Sequence, residues 1–234
     1  MEFDRFVLAA ATNDLGEEPA AREHADAVEF RMDLAEEPRA RLDAYDGDLP
    51  LIATNRVTWE GGDAADSPAR VDALRTAVEH PSVEAVDVEL AALEEEGDVD
   101  ATPVVEHARD HDVAVVVSTH DFEATPSRER LLTLLEGAAA HGDVAKLAVT
   151  ADSPDDVLAL LSATRTATLD GLTVATMAMG EAGRHSRAVA PLYGSRIGYA
   201  PVDPAAATAP GQYDLATLAD LIERLGGRAR ATKA

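Results

Sequence analysis

Residues Asp143 to Thr150 read Asp-Val-Ala-Lys-Leu-Ala-Val-Thr, a short apolar run that follows a Gly-Asp turn. This pattern predicts a buried β-strand with Lys146 in its middle. The only other lysine of the chain is Lys233, next to the C-terminal residue. Because desolvation disfavours the ammonium form, a buried lysine tends towards the neutral amine, which attacks carbonyl groups. The alternative is a lysine that reaches solvent at a strand end or pairs with a carboxylate.

Similar apolar runs occur on both sides of this strand. Seven more strands are predicted, at residues 5–11, 25–34, 49–55, 83–90, 112–118, 172–179 and 195–200. Helical sequence follows most of them, at residues 67–79, 102–111, 127–141, 153–165 and 214–225. Strands that alternate with helices and are almost continuously apolar are typical of a parallel sheet covered on both faces.

This alternation predicts an α/β fold, a (β/α)8 TIM barrel that forms one domain over residues 1–234. A doubly wound open sheet is the alternative. Such a sheet normally carries a glycine-rich phosphate turn after its first strand. Residues 9–12 read Ala-Ala-Ala-Thr and contain no glycine, which favours the barrel.

The composition limits the classes of partner. The 234 residues carry a formal net charge of -24, so that nucleic acid phosphates would be repelled. No apolar run is long enough to span a membrane, and residues 1–5 lack the basic and apolar regions of a signal peptide. There is no cysteine. These features predict a cytoplasmic protein without disulfides or membrane contact.

The bias towards arginine over lysine, together with the high acidity, indicates a cytoplasm of high salt concentration. Salt screens the self-repulsion of a strongly charged surface, while the charge keeps the protein soluble. We therefore expect the protein to lose stability at low salt.

Titratable side chains gather where the barrel prediction places the active site, at the C-terminal ends of the strands. These side chains are Glu29 and Arg31 late in strand two, Arg56 after strand three, His120 after strand five, Lys146 in strand six and Arg187 in the loop after strand seven. Glu29, Arg31 and Asp33 share one strand face, which suits either a solvated edge or a polar site inside a barrel. Considered singly, His120 is more simply a capping or core histidine, and each arginine a surface ion pair.

The residue types indicate a reaction. Lys146 can condense with a ketone to form an iminium, which acidifies the adjacent C–H bond. His120 titrates near neutrality and can move the proton, whereas arginines pair bidentately with carboxylates. A substrate with a ketone, a carboxylate and hydroxyls is implied. The sequence contains neither a phosphate-binding loop nor a convincing metal set, so we expect no cofactor and no metal at this site.

One pair of histidines, His107 and His111, has the i, i+4 spacing of helical metal ligands. The sequence offers no third ligand nearby. They are therefore interpreted as surface histidines.

Several short motifs, taken in order, resemble type I 3-dehydroquinate dehydratase, the shikimate-pathway lyase. They are residues 29–33, Glu-Phe-Arg-Met-Asp; Arg56 with Glu60-Gly61-Gly62; residues 118–122, Ser-Thr-His-Asp-Phe; residues 143–148, Asp-Val-Ala-Lys-Leu-Ala; residues 176–179, Thr-Met-Ala-Met; Gly183; Ser186-Arg187; Gly194-Ser195; and residues 209–212, Ala-Pro-Gly-Gln. Each motif alone is weak, but the ordered set is specific and spans the chain from the second strand almost to the C-terminus.

The resemblance implies a (β/α)8 barrel, commonly a homodimer, that converts 3-dehydroquinate to 3-dehydroshikimate and water. The reaction is a syn elimination through a lysine Schiff base and forms the third step of the shikimate pathway, in aromatic amino acid biosynthesis. No cofactor is implied.

The resemblance also implies roles for individual residues. Lys146 would form the imine, His120 would carry protons, and Glu60 would orient His120. Substrate-binding roles would fall to Glu29, Arg31 and Arg56 for ring hydroxyls and site order, Arg187 for the carboxylate, Thr208 and Gln212 on a closing loop, and Met177, Met179 and Tyr199 on the walls. Thr208 stands where the family often has serine, and Tyr199 where phenylalanine is common.

Two other functions remain open. A class I aldolase-type barrel could use the same lysine, with Arg187 in a phosphate site, although the motif order disfavours it. A catalytically inactive barrel that acts as a binding protein is the other alternative, which the joint presence of Lys146, His120 and Arg187 disfavours.

Overall fold

A computed structural model describes residues 1–94, 97–203 and 211–227. Eight parallel strands form one sheet in the order β7-β6-β5-β4-β3-β2-β1-β8. They are β1 (Val7–Thr12), β2 (Ala27–Arg31), β3 (Leu51–Thr54), β4 (Val83–Glu89), β5 (Ala114–Asp121), β6 (Val144–Thr150), β7 (Val174–Met179) and β8 (Ile197–Pro201). Next to β7 and β8, a parallel bridge joins Val174 to Ser195, and the sheet is a nearly closed barrel.

The barrel prediction is confirmed, and the doubly wound alternative is wrong. The strands follow one another in chain order around the sheet, without the reversal that defines a doubly wound fold. The strand that contains Lys146 is β6, as predicted, and pairs with β5 on one side and β7 on the other.

Helices connect the strands and pack around the outside of the barrel. They are α1 (Glu18–Ala21), α2 (Pro38–Asp43), α3 (Pro68–Val78), α4 (Thr102–Asp110), α5 (Arg128–His141), α6 (Pro154–Leu169), α7 (Gly180–Gly183), α8 (Ser186–Tyr193) and α9 (Leu215–Arg224). Short 3₁₀ helices at Leu15–Glu17, Met32–Leu34, Thr58–Glu60 and Leu90–Ala92 follow several strands. In the described part of the chain, no helix is both long and apolar enough to cross a membrane.

Serine caps begin three of the long helices. The side chain of Ser67 accepts a hydrogen bond from the backbone N–H of Arg70, and Ser127 does the same for Arg130. Ser153 and Asp156 form a capping box. These caps satisfy backbone donors that the first helical turn leaves unpaired, so the helix starts were visible in the sequence.

Several predicted boundaries differ from the structure, and four of these differences concern the site or a long helix. The second strand ends at Arg31, because the chain turns into a 3₁₀ helix at Met32. His120 lies inside β5 rather than after it. Arg187 lies on α8 rather than in a loop, and α6 continues to Leu169 instead of ending near residue 165. Strand pairing and helix packing continue past the apolar runs of β5 and α6, whereas β2 stops short of its predicted end because the chain turns.

The interior of the barrel is divided along its axis. Apolar side chains such as Ile52, Val116 and Val144 fill its lower part. Two residues further along their strands the same inward face carries polar residues, among them Ser118 on β5 and Lys146 on β6. A second and larger apolar layer packs between the sheet and the helices. The polar groups are therefore held at the C-terminal end of the barrel on a rigid apolar base.

Candidate active site

The C-terminal ends of the strands surround one pocket that contains the predicted site residues. Its lining includes Glu29, Arg31, Arg56, Glu60, His120, Lys146, Met177, Met179, Arg187, Tyr199 and Gln212. Thr208 lies outside the described residues. The sequence separates these side chains by up to 183 positions, from 29 to 212, and the barrel brings them together.

Lys146 is buried in β6 and faces this pocket. Its Nζ lies 2.8 Å from Oδ2 of Asp87 and 3.7 Å from Oε1 of Glu29. The same nitrogen is 4.4 Å from the centroid of the Tyr199 ring, a cation–π contact. The lysine therefore does not reach bulk solvent at a strand end: it pairs with carboxylates and borders the pocket.

Asp87 is the main member of the site that the sequence interpretation missed. Its carboxylate is almost fully buried, and Oδ1 accepts hydrogen bonds from Arg56 Nη2 at 2.6 Å and from Ser118 Oγ at 2.7 Å. Burial alone would raise the pKa of Asp87, but the charges of Arg56 and Lys146 hold it well below the usual range. Asp87 is thus a permanent anion between two cations.

A signal for this residue was present in β4. The stretch Val-Glu-Ala-Val-Asp-Val-Glu places Asp87 and Glu89 two positions apart, on one face of the strand. Two carboxylates on the inward face of a buried strand require cationic partners. The pattern is the same as that of Glu29 and Arg31 on β2.

Arg56 holds the charged groups in a fixed arrangement. Besides Asp87, its guanidinium lies 3.1 Å from Glu89 and 3.6 Å from Glu60, and Nη1 donates to Ser118 Oγ at 2.6 Å. Burial alone would lower the pKa of Arg56, but the three carboxylates keep it raised. Because its donors are used within the protein, Arg56 acts mainly by ordering the site.

His120 and Glu60 form a hydrogen-bonded pair. Nδ1 of His120 lies 2.8 Å from Oε2 of Glu60, which leaves Nε2 as the other ring nitrogen. Burial, together with the charges of Arg56 and Lys146, lowers the pKa of His120 well below its usual range. Burial raises the pKa of Glu60 to about 7, although Arg56 acts in the opposite direction. At neutral pH the imidazole is therefore uncharged and available as a base.

The loop that carries Glu60 depends on the glycine that follows it. Gly61 has φ +77°, a conformation that favours glycine, and its backbone packs against the ring of Phe122. A Cβ atom built on Gly61 would lie 2.3 Å from that ring. Phe122 in turn stacks on His120 at 5.9 Å between ring centroids. This contact connects the Glu60 loop to the catalytic histidine candidate.

Arg187 is a buried cation on the pocket wall. It is the second residue of α8, whose first residue, Ser186, accepts a hydrogen bond from the backbone N–H of Ala178 at 2.8 Å. Its side chain is 5% exposed, and among the described residues Nε and Nη2 have no hydrogen-bond partner. Burial lowers the pKa of Arg187 to about 10, so it stays charged at neutral pH. A buried cation whose donors are unpaired among the described residues can bind an anionic group.

The β2 residues are buried, so they form a polar site inside the barrel rather than a solvated edge. Glu29 accepts a hydrogen bond from Thr54 at 3.1 Å. Arg31 makes a bidentate pair with Asp33, at 2.9 and 2.6 Å, although Asp33 has left the strand for the 3₁₀ helix. Both Glu29 and Arg31 line the pocket.

Side chains from β7 and β8 form a largely apolar wall of the pocket. Met177 and Met179 point inward from β7, and Tyr199 does so from β8. Burial raises the pKa of Tyr199 well above its usual range, and the negative charges of Glu29 and Asp87 add to this effect. The phenol is therefore neutral, and its ring covers the Lys146 ammonium group.

The motifs of this pocket match one family of proteins. The model of type I 3-dehydroquinase matches residues 8–228. The chain belongs to the type I 3-dehydroquinase family. Among its relatives, the 3-dehydroquinate dehydratase of Haloarcula marismortui is 67% identical over 96% of this chain and 98% of that protein. The relative from Halobacterium salinarum is 53% identical over 96% of this chain and all of that protein.

Solved structures of the type I 3-dehydroquinase family have the same barrel. The 3-dehydroquinate dehydratase of Geobacillus kaustophilus is 29% identical, with a TM-score of 0.80 over 96% of this chain and 92% of that one. The type I enzyme of Clostridium difficile, solved with covalently modified comenic acid, is 26% identical, with a TM-score of 0.82 over 94% and 92% of the two chains.

Proposed function

We propose that this protein is a 3-dehydroquinate dehydratase that converts 3-dehydroquinate to 3-dehydroshikimate and water through a Schiff base on Lys146. The observation that carries the proposal is the arrangement of Lys146, His120 and Arg187 around one pocket. These side chains supply a nucleophile, a base and an anion site. Family membership and the names of the halophilic relatives support the substrate.

Lys146 begins the reaction. Its ammonium group first passes a proton to His120, and the neutral amine then attacks the ring ketone to form a carbinolamine. The imidazolium returns the proton to the carbinolamine hydroxyl, which leaves as water and gives the iminium. The ion pair with Asp87 positions Nζ before substrate arrives. The cationic iminium takes over the place of the ammonium beside this carboxylate. Asp87 therefore offsets positive charge in both states.

His120 then carries the proton. With Nδ1 held by Glu60, its Nε2 removes a proton from the carbon next to the iminium. The electron pair moves into the iminium as an enamine. It returns to expel the hydroxyl group one carbon further on, which leaves as water after accepting a proton from the imidazolium. Addition of water to the remaining iminium, again with His120 as proton carrier, releases product and Lys146.

Arg187 fixes the orientation of the substrate. Its unpartnered donors would receive the ring carboxylate as a bidentate pair. Glu29 and Arg31 line the pocket and would accept from and donate to ring hydroxyls, while Met177, Met179 and Tyr199 would exclude water near the imine. Gln212, and Thr208 beyond the described residues, would complete the site.

We infer that two copies of the chain form a homodimer in the cytoplasm. Leu158 and Leu169 on α6 and Leu192 on α8 are exposed on two helices that pack together, on an otherwise acidic protein. A second copy of the same patch is a suitable cover for them. Light scattering in molar KCl should give the mass of a dimer, and Leu169→Asp should lower it.

Borohydride trapping tests the Schiff base directly. The protein is incubated with 3-dehydroquinate in molar KCl, reduced with sodium borohydride and measured by intact mass and peptide mapping. We expect an adduct of substrate size on Lys146 and loss of activity. The two lysines of the chain provide a matched pair, because Lys233→Ala should keep the adduct and Lys146→Ala should lose it. A folded protein that forms no adduct would exclude the Schiff-base mechanism.

A further inference from the structure

Three side chains with metal-ligand chemistry meet on the outside of the barrel. Glu79 directly follows α3, His107 lies in the last turn of α4, and His111 directly follows α4. One potential ligand atom from each lies within 4.8 Å of the other two. The helices run antiparallel to the strands, so that their C-terminal ends lie at the end of the barrel opposite to the active-site pocket.

The tertiary structure supplies the third ligand that the sequence lacked. His107 and His111 are one helical turn apart, with ring centroids 4.2 Å from each other. Oε1 of Glu79, which is 28 residues away in the chain, lies 3.1 Å from Nε2 of His107. From the sequence alone the two histidines are interpreted as surface residues, because no third ligand lies near them in the chain.

Hydrogen bonding prepares His111 for coordination. Its Nδ1 lies 2.8 Å from the backbone carbonyl oxygen of His107, which can only accept, so Nδ1 is the donor and Nε2 carries the lone pair. Metal-binding histidines commonly donate their second ring nitrogen to a carbonyl or carboxylate in this way. The Nε2 of His107 faces a carboxylate, so a cation placed between them would meet both ligands.

We propose that Glu79, His107 and His111 bind one divalent transition-metal ion, of the Zn²⁺ or Ni²⁺ type, that joins the C-terminal ends of α3 and α4. Two imidazoles and one carboxylate suit these ions, whereas Mg²⁺ and Ca²⁺ prefer oxygen ligands alone. Solvent completes the coordination, because Glu79 and His111 are exposed. Metal–nitrogen bonds of about 2.0–2.1 Å require the ligand atoms to move closer together. The exposed side chains of Glu79 and His111 can make that movement.

Such an ion would stabilise the folded protein without entering the reaction. Because the three ligands come together only in the folded chain, binding raises the melting temperature by mass action. The site lies at the end of the barrel away from Lys146 and His120, so turnover should not respond to the metal. Stability and stoichiometry, rather than activity, are therefore the informative measurements.

The test compares full-length protein and three variants in molar KCl, after chelator treatment. Sub-millimolar NiCl₂ or ZnCl₂ should raise the melting temperature by about 3–8 °C, and calorimetry should give one ion per chain. His111→Ala and Glu79→Gln should abolish both effects. Glu106→Gln is the matched control, since it removes a neighbouring exposed charge from α4 without removing a ligand.

Magnesium distinguishes this site from diffuse attraction to the acidic surface. Excess MgCl₂ should leave the melting temperature unchanged relative to an equal ionic strength of KCl. An equal shift with Mg²⁺, or a Ni²⁺ shift that survives in His111→Ala, would overturn the proposal. So would calorimetry that finds no stoichiometric binding to the folded wild-type protein.

Discussion

His120 and the carboxylate of Glu60 are joined by two contacts, one from the imidazole ring and one from the backbone. Nδ1 lies 2.8 Å from Oε2, and the backbone N–H of His120 donates to Oε1 at 3.4 Å. An ionised Glu60 keeps the proton on Nδ1 and thereby the lone pair on Nε2. A neutral carboxyl no longer enforces this tautomer. The basicity of the site therefore depends on the protonation state of Glu60.

The first prediction concerns the pH dependence of catalysis. Since burial raises the pKa of Glu60 to about 7, kcat/KM should increase as the pH rises through this value. Glu60→Gln should lower kcat by about 10²- to 10⁴-fold and remove this limb of the profile. Initial rates across the pH range provide the measurement. A Glu60→Gln variant that kept the same limb would assign it to another group.

The same variant has a stability signature. The pKa of Glu60 is higher in the folded protein than the ordinary value of 4.5, so its contribution is fully present below pH 4.5 and is lost as the pH rises through about 7. The wild type should therefore lose free energy of unfolding relative to Glu60→Gln over this range, by at most about 1.4 kcal/mol per pH unit.

Removal of His120 should separate imine formation from elimination. His120→Ala retains Lys146 and Asp87, so borohydride should still trap an adduct on the lysine. Turnover should fall by at least about 10²-fold, because the variant loses the imidazole that carries the proton. Single-turnover kinetics with intact mass measure both steps. A near-normal rate would contradict the acid–base role of His120.

Replacement of Arg187 should raise the stability of the protein and weaken substrate binding. Arg187→Met keeps similar volume and removes a buried cation whose Nε and Nη2 have no hydrogen-bond partner among the described residues, so the free energy of unfolding should rise by about 1–4 kcal/mol. Loss of a charged pair with the substrate carboxylate should lower kcat/KM by about 10- to 150-fold, mainly through KM. Denaturant unfolding and steady-state kinetics test the two effects. A destabilised variant would indicate an internal partner for Arg187.

Asp87 should be the most sensitive position of the charged network. Asp87→Asn leaves Lys146 and Arg56 without their shared buried anion, which should cost about 3–5 kcal/mol of stability and block imine formation. Ser118→Ala is the control, because it keeps every charge and removes only the hydroxyl that donates to Asp87 and accepts from Arg56, which should cost about 2 kcal/mol. Equal losses of stability in the two variants would mean that removal of the Asp87 charge is not the cause of the destabilisation.

Salt should stabilise the protein through screening. With a net charge of -24, the melting temperature should be several degrees lower in dilute buffer than in molar KCl. Concentrated sucrose strengthens the burial of apolar surface without screening charge. In dilute buffer it should therefore not restore the melting temperature measured in molar KCl. The two halophilic relatives agree with this expectation. Equal melting temperatures in dilute and molar KCl would contradict it.

Some residues of the site could be predicted from the sequence, and others could not. Lys146 was found because a lone lysine inside an apolar run is chemically conspicuous, and His120 because it follows a strand-like run. Asp87 was not predicted, because the sequence of β4 does not show which face of the strand points into the barrel. Arg187 was expected in a loop, because short helices such as α7 and α8 depend on packing against β7 and the neighbouring helices rather than on a strong local pattern.

The sequence by itself determined the alternation of strands and helices, the helix caps and the residue types available for chemistry. These features depend on local periodicity and on neighbours a few positions away. Only the tertiary structure decided which charges meet. Asp87 faces Lys146 across 59 residues, and Glu79 faces His107 across 28. Such pairings depend on strand register and helix packing, which arise when the whole barrel closes.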